Sequence, residues 1–299
     1  MDIRSLQYFL AVAREESISR AAETLHMTQP PLSRAIKDLE DELGKQLFIR
    51  GSRKVTLTDD GLILRGRAEE IIELTEKTKN EIISSDYDIN GDVYIGSGES
   101  EAVSILADAA HELQKKHPNI HYHINAGDGV EVAEKLDKGL IDFGLLVAEP
   151  TGFEKYNYIR LPVRDTWGVL MREDSELAGK EFITAEDLWD KPLIVSQQAS
   201  KTGEMFRWLK KGEDELSIVL KYDLIYNASR FVKSGFGYLI GLDRLINTAG
   251  DSGLCFRPVT PEWKSDLYFV WKKYQVLSRA SAAYLGEMQK LAGFNSTQN

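Results

Sequence analysis

Gln29, Ser33, Arg34 and Lys37 fall on one side of a short amphipathic segment, spaced four, one and three apart. On a helix of 3.6 residues per turn they form a stripe of amide, hydroxyl and cationic groups. Such groups hydrogen-bond base edges in a major groove and pair with phosphates. The opposite side carries Leu32, Ile36, Leu39 and Leu43, an apolar stripe for a core. Thr28 can cap this helix, and Pro30 and Pro31 lie in the first turn, where a missing N–H costs little. Thr28, Gln29 and Pro30 thus open the helix at the end from which a recognition helix contacts DNA.

The elements that must hold this stripe follow from the neighbouring residues. Residues 3–15 predict a first helix with Leu6, Phe9, Leu10 and Ala13 on one side, and a second short helix follows from Ser17. After the recognition segment, residues 46–57 predict a basic hairpin turning at Gly51-Ser52, with Arg50 and Arg53 placed to anchor phosphates. Two helices and a wing make a winged helix-turn-helix.

Across residues 17–61 the order Ala21-Ala22, Thr28-Gln29-Pro30, Ser33, Leu39-Glu40, Gly44, Leu47-Phe48 with Arg50, and Leu57-Thr58 closing on Gly61 resembles the LysR-type transcriptional regulators. The resemblance implies sequence-specific DNA binding controlled by a small-molecule effector. It implies an α/β fold in three parts: a winged helix-turn-helix at 1–58, a linker and dimerisation helix at 59–88, and an effector-binding domain at 89–299. That last part is expected as two periplasmic-binding-protein-like α/β lobes, lobe I at about 91–160 and 267–299 and lobe II at about 161–266.

The periodicities agree with this order. From Thr58 to about residue 85, Leu64, Ala68, Ile71, Thr75, Thr78 and Ile82 recur at four and three, a heptad-like seam weakened by two threonines. A helix of about 28 residues is roughly 42 Å long and cannot bury such a stripe alone. A partner helix from a second chain is the natural solution, and the family resemblance extends the expectation from homodimer to homotetramer. Beyond 86–91 short apolar strands alternate with helices: 93–97, helix 100–116, 120–125, helix 129–138 and 141–147. A second run has strands at 166–171, 193–196, 218–224 and 238–240, and a last strand, 267–271, and helix, 278–292, return to the first lobe. This alternation predicts a parallel sheet flanked by helices.

Open α/β sheets bind ligands beyond the carboxyl ends of their strands, near free helix N-termini. Three such ends are expected at the cleft: Ser97-Gly98-Glu99-Ser100, Gly127-Asp128-Gly129, and Ser196-Gln197 with the residues after them. Ser97, Glu99, Ser100, Asp128, Ser196 and Gln197 are therefore the candidate effector-binding residues. In the family the position matching Ser100 helps hold a small, often acidic effector, and those matching Asp128 and Gln197 line the same cleft. Here Glu99, Glu101 and Asp128 place carboxylates where an anionic ligand would want donors, which favours a cationic, zwitterionic or polyhydroxylated effector. Glu and Asp near helix starts also have an ordinary role in complementing the dipole.

Composition bounds the remaining classes. Formal charge is −10, yet residues 1–60 hold nine Lys/Arg and ten Asp/Glu, so the helix-turn-helix is near neutral. Its acids gather at Asp38, Glu40, Asp41 and Glu42, away from the expected phosphate side, so long-range steering is modest. No run of 18 apolar residues exists, which excludes a spanning helix and any membrane partner of that kind. The start Met1-Asp2-Ile3 lacks the basic and apolar regions of a signal peptide, and one cysteine, Cys255, forms no intrachain disulfide. A cytoplasmic location is expected.

His111, His117, His121 and His123 lie within thirteen residues, and the last two share a strand face with chelating spacing. No cysteine or carboxylate completes a recognisable set, so no metal site is expected. The tryptophans are expected in the core. Nucleophile-elbow, Walker and dinucleotide fingerprints are absent, and Gly96-Ser97-Gly98 reads as a tight turn. No catalytic residue and no cofactor beyond the effector is expected, and an enzyme fails for lack of an acid–base set. A solute-binding protein without DNA function fails on residues 1–60. The expected partners are double-stranded DNA, the effector, further copies of the chain and RNA polymerase.

Overall fold

The computed structural model describes residues 1–51, 54–83, 89–147 and 153–293. The chain divides into two compact units, Met1–Ser84 and Ser85–Asn299. The first comprises α1 (Ile3–Glu15), α2 (Ile18–Thr24), α3 (Gln29–Leu43), β1 (Phe48–Arg50), β2 (Val55–Leu57) and α4 (Asp59–Ile83). The Asp2 side chain accepts from Ser5 N at 2.7 Å, starting α1 with a reciprocal cap. Leu6, Phe9, Ala22, Leu32, Ile36, Leu39 and Phe48 close one core, with Phe9 and Phe48 ring centroids 5.2 Å apart.

Three of the four apolar residues expected on the α3 stripe enter that core. Leu43 is 40% exposed instead, because the helix runs one turn past the core before ending at Gly44 in the left-handed conformation (φ 65°). The α1 stripe also shifts, burying Val12 with Leu6 and Phe9 and leaving Leu10 and Ala13 at its margin.

Side-chain hydrogen bonds from α3 and from the start of α4 hold the wing to the helices. The Glu40 carboxylate accepts from Leu47 N (2.8 Å) and Phe48 N (3.2 Å), and the Thr58 hydroxyl accepts from Gly61 N (3.0 Å) while donating to Gln46 O (2.8 Å). Gly61 lies so close to the chain before β1 that a Cβ there would stand 2.2 Å from the Leu47 carbonyl oxygen. Backbone cannot yield as a side chain does. Gly61→Ala is therefore expected to lower stability by roughly 1–3 kcal/mol, the range for overpacking. A melt of residues 1–84 that leaves the midpoint unchanged would contradict this.

Along α4 the expected seam is only partly buried within the chain. Ala68 is fully buried and Leu64 packs at the core margin, but Ile71 and Ile82 stay exposed, at 36% and 77%. The Thr75 and Thr78 hydroxyls donate back to the carbonyls of Ile71 and Leu74.

The second unit contains β3 (Gly91–Ser97), α5 (Val103–Lys116), β4 (Ile120–Ala126), α6 (Gly129–Asp137), β5 (Phe143–Val147) and β6 (Tyr156–Arg172). There follow β7 (Leu193–Ser196), α7 (Gln197–Thr202), α8 (Glu204–Leu209), β8 (Ile218–Tyr222), α9 (Ile225–Lys233), β9 (Tyr238–Leu242), β10 (Leu254–Pro258), β11 (Lys264–Lys272) and α10 (Arg279–Leu291). Strand order is β4-β3-β5-β11-β6-β9-β7-β8, with β10 on β6.

The sheet is mixed rather than parallel. Among the named strands, parallel pairing is found in β4-β3-β5 of lobe I and β8-β7-β9 of lobe II. Strands β6 and β11 carry the chain between lobes in opposite directions and pair antiparallel with each other and with their flanking strands. The return of β11 to lobe I is seen in its pairing with β5, Leu267 opposite Val147 through Val270 opposite Gly144. Lobe I packs around Val93, Leu106, Phe143, Phe269 and Tyr284. Lobe II packs around Val169, Leu188, Leu193, Val195 and Ile240.

Candidate functional site: a recognition face and an interlobe cleft

On α3, Thr28, Gln29, Pro30, Arg34 and Lys37 are exposed and Ser33 is half-buried. Thr28 has the extended backbone of an N-cap, yet its side chain makes no capping bond. The reason is covalent. An N-cap oxygen takes the N–H of the second or third helical residue, and here these are Pro30 and Pro31. The Thr28 hydroxyl stays at the surface beside Gln29, whose amide oxygen accepts from the Ser19 hydroxyl at 3.3 Å. Arg50 pairs with Val55 in the wing, and Val55 N donates to Glu16 O at 2.9 Å, tying the wing to the end of α1. Arg53 lies outside the described residues.

The second candidate site is a cavity of about 110 Å³ between the two lobes. Gly98, Glu99 and Val147 line it from lobe I, and Trp167, Ser196, Gln198, Thr202, Glu204, Tyr222, Asp223 and Ile225 are among its lobe II walls. Of the six residues proposed from sequence, Glu99 and Ser196 line it. Glu99 Oε2 accepts from Ile225 N at 2.6 Å, so a lobe I carboxylate sits on the first N–H of the lobe II helix α9. The Ser196 hydroxyl caps α7 by accepting from Ala199 N at 3.4 Å.

The other four do not line the cavity. Ser97 is buried and donates to Gly98 O at 2.6 Å. Ser100 is buried as well: its hydroxyl accepts from Ala102 N at 3.1 Å and bonds the Asp165 carboxylate on β6. Asp128 Oδ1 caps α6, accepting from Val130 N (2.9 Å) and Glu131 N (3.0 Å), while Oδ2 lies 3.8 Å from Lys201 Nζ of lobe II. Gln197 donates to Asp223 at 3.3 Å.

Its neighbour Gln198 lines the cavity instead and reaches lobe I, with Nε2 3.3 Å from where a Cβ on Gly129 would stand. Trp167 was expected simply as core. It is 7% exposed, donates to Ser265 Oγ at 2.9 Å, stacks on Trp263 at 4.0 Å, and still forms one cavity wall. The Tyr222 hydroxyl donates to Ile240 O at 3.0 Å, and burial, then the Glu99 charge, push its pKa up, so it remains a neutral donor.

His123 of the histidine group is paired with Asp92 at 2.8 Å and stacked on Tyr94 at 4.5 Å, and no group of three metal-type ligands occurs among the described residues. No described helix is long and apolar enough to cross a membrane.

A winged helix-turn-helix followed in sequence by two α/β lobes with a cavity between them is the architecture of a ligand-responsive transcription regulator. The comparisons give the family. Residues 3–62 match the model of the bacterial regulatory helix-turn-helix proteins of the lysR family, and residues 88–292 match the LysR substrate binding domain. The chain belongs to the LysR family of transcriptional regulators, which are not enzymes. It is 36% identical over 143 residues to the HTH-type transcriptional regulator BsdA of Bacillus subtilis (strain 168), a match covering 48% of this chain and about half (49%) of that protein. It is 29% identical over 281 residues to the Hca operon transcriptional activator HcaR of Escherichia coli (strain K12), covering 91% of this chain and 92% of that one. Among solved structures, full-length CbnR complexed with its target DNA superposes with a TM-score of 0.76 at 18% identity, covering 98% of this chain and 100% of that one. At that identity the likeness shows the fold.

Proposed function

We propose that this regulator binds operator DNA through Thr28, Gln29, Pro30, Ser33, Arg34 and Lys37, with Arg50 and Arg53 on phosphates, and senses a small molecule in the interlobe cavity. The observation that carries the sensing half is the cavity itself, walled by both lobes, so that a ligand there changes the free energy of lobe closure. Domains at 1–58, 59–88 and 89–299 accommodate this division of labour. The exposed apolar residues along α4 support pairing of two chains, as a homodimer or homotetramer, since one winged helix has too little contact area to be selective in a genome. The protein acts in the cytoplasm, needs no cofactor besides the effector, and communicates with RNA polymerase.

Thr202 offers the test. It lines the cavity yet is exposed, so Thr202→Trp fills the space without disturbing the core. An operator is selected from random duplex DNA, and amines, zwitterions, polyols and acids are then screened by thermal shift. The effector is expected to raise the parent's melting temperature and change operator affinity. Thr202→Trp should lose both responses and keep ligand-free operator affinity within about twofold, because effector and operator are linked only through the conformational equilibrium. An effector that acts equally on Thr202→Trp binds elsewhere.

A further inference from the structure

Three helices begin at the junction of the lobes, and each has at least one of its free N–H groups covered by a side-chain oxygen of the chain itself. Asp128 caps α6 and Ser196 caps α7, both from the ordinary N-cap position. Helix α9 differs. Its N-cap residue is Leu224, which has no side-chain oxygen, and the cap arrives from the other lobe as the Glu99 carboxylate, 2.6 Å from Ile225 N. A carboxylate at that place is held by a free N–H and by the partial positive charge of the helix end.

These are the positions at which an α/β cleft would hold the acid group of an anionic ligand. The charged residues lining the cavity are Glu99, Glu204 and Asp223, and no Lys or Arg lines it among the described residues. An incoming carboxylate therefore meets no cation and would have to expel Glu99 from α9.

Building on the reading of this cavity as the effector site, we infer that Glu99 is its specificity-determining residue: by occupying the start of α9 across the lobes it excludes carboxylate effectors and restricts the cavity to cationic or uncharged ligands. The same contact ties lobe I to lobe II, so a ligand that draws Glu99 away also releases that tie.

Removing the carboxylate should expose the site it fills. Full-length parent, Glu99→Ala, Glu99→Ser and Glu99→Gln are titrated with sodium acetate and sodium benzoate at fixed ionic strength, chloride replacing carboxylate in the control. Melting temperature and intrinsic tryptophan fluorescence are followed, the latter because Trp167 walls the cavity. The parent is expected to show no saturable response. Glu99→Ala and Glu99→Ser should bind at least one of the two anions at least tenfold more tightly than the parent, and a second substitution, Thr202→Trp, should abolish that gain. Glu99→Gln keeps an acceptor oxygen for Ile225 N and should remain as unresponsive as the parent.

A parent that binds carboxylates as tightly as Glu99→Ala overturns the inference, as does the absence of any gain in both Glu99→Ala and Glu99→Ser. If that gain is absent while Thr202→Trp still blocks the parent's response to its effector, the cleft remains the sensor and only the role of Glu99 falls. If the gain appears but no cavity ligand alters operator affinity, Glu99 sets what the cavity accepts and the sensor lies elsewhere.

Discussion

Arg34→Ala in the full-length chain is expected to weaken binding to a selected operator by roughly 5- to 150-fold, corresponding to 1–3 kcal/mol for loss of a base contact. Arg34 is exposed on the outward face of α3, between half-buried Ser33 and the core residue Ile36, and makes no side-chain hydrogen bond among the described residues. Its removal should therefore leave the melting temperature of this unit within about 2–4 °C, since surface changes of this kind stay within about 0.5 kcal/mol. The comparison that decides is operator against random duplex at one salt concentration. A base-reading arginine loses mainly the operator preference, whereas a phosphate contact weakens both alike. Unchanged operator affinity would remove Arg34 from the interface.

Asp165→Asn should stabilise the protein at neutral pH. Asp165 lies on β6, buried, with Oδ2 lacking a hydrogen-bond partner among the described residues. Burial pushes its pKa up to about 6; the Ser100 hydroxyl bond pulls the other way, and the charge of Glu101 adds to the rise. The folded value thus stands above the ordinary carboxylate value of 3.8. Folding then favours the protonated acid. Ionised Asp165 costs nothing below about pH 4, a growing amount between pH 4 and 6, and its full penalty above pH 6.

A shift of about two units corresponds to at most about 3 kcal/mol, so on the order of 1–3 kcal/mol should be recovered by asparagine. That equals roughly 2–12 °C in melting temperature for a unit of this size. Paired melts at pH 5 and pH 8 check the sign: the gain must be larger at pH 8. A gain independent of pH would mean that the carboxyl is not titrating in that range.

Local elements were legible where one period dominated. The 3.6-residue stripe of Leu32, Ile36 and Leu39 located α3, and compact apolar runs such as Leu193–Ser196 located strands within a residue or two. The first half of β6 was not legible, because Arg160, Pro162 and Arg164 break its apolar pattern. It is a strand because β11 pairs along it, with Arg160 and Arg164 both reaching the Asp266 carboxylate at 2.7 and 2.6 Å. Strand β10, ending in Pro258, exists for the same reason, as a partner of β6.

The cleft separates in the same way. That Ser196 and Glu99 stand at strand ends is a local property, readable from the turn after an apolar run. That Ser100 turns inward to Asp165, or that Glu99 lands on Ile225, depends on how two distant segments meet, which no window of sequence encodes. One signal was available in full: two prolines at the start of α3 leave Thr28 no N–H to cap.

The two strands that connect the lobes are hydrogen-bonded to each other on both sides of a register shift between Asp266 and Tyr268. Two separate tethers would let the lobes swing wide like a jaw. A paired ribbon behaves as a torsion bar: bending it in its own plane stretches one strand against the other, whereas twisting it leaves the ladder intact, and two-stranded ribbons accommodate more twist than broad sheets. The irregularity at Asp266 is where such a ribbon changes twist at least cost. Effector binding in this protein should therefore be transmitted as a rotation of one lobe about the long axis of β6, altering the angle between surfaces and hardly their separation.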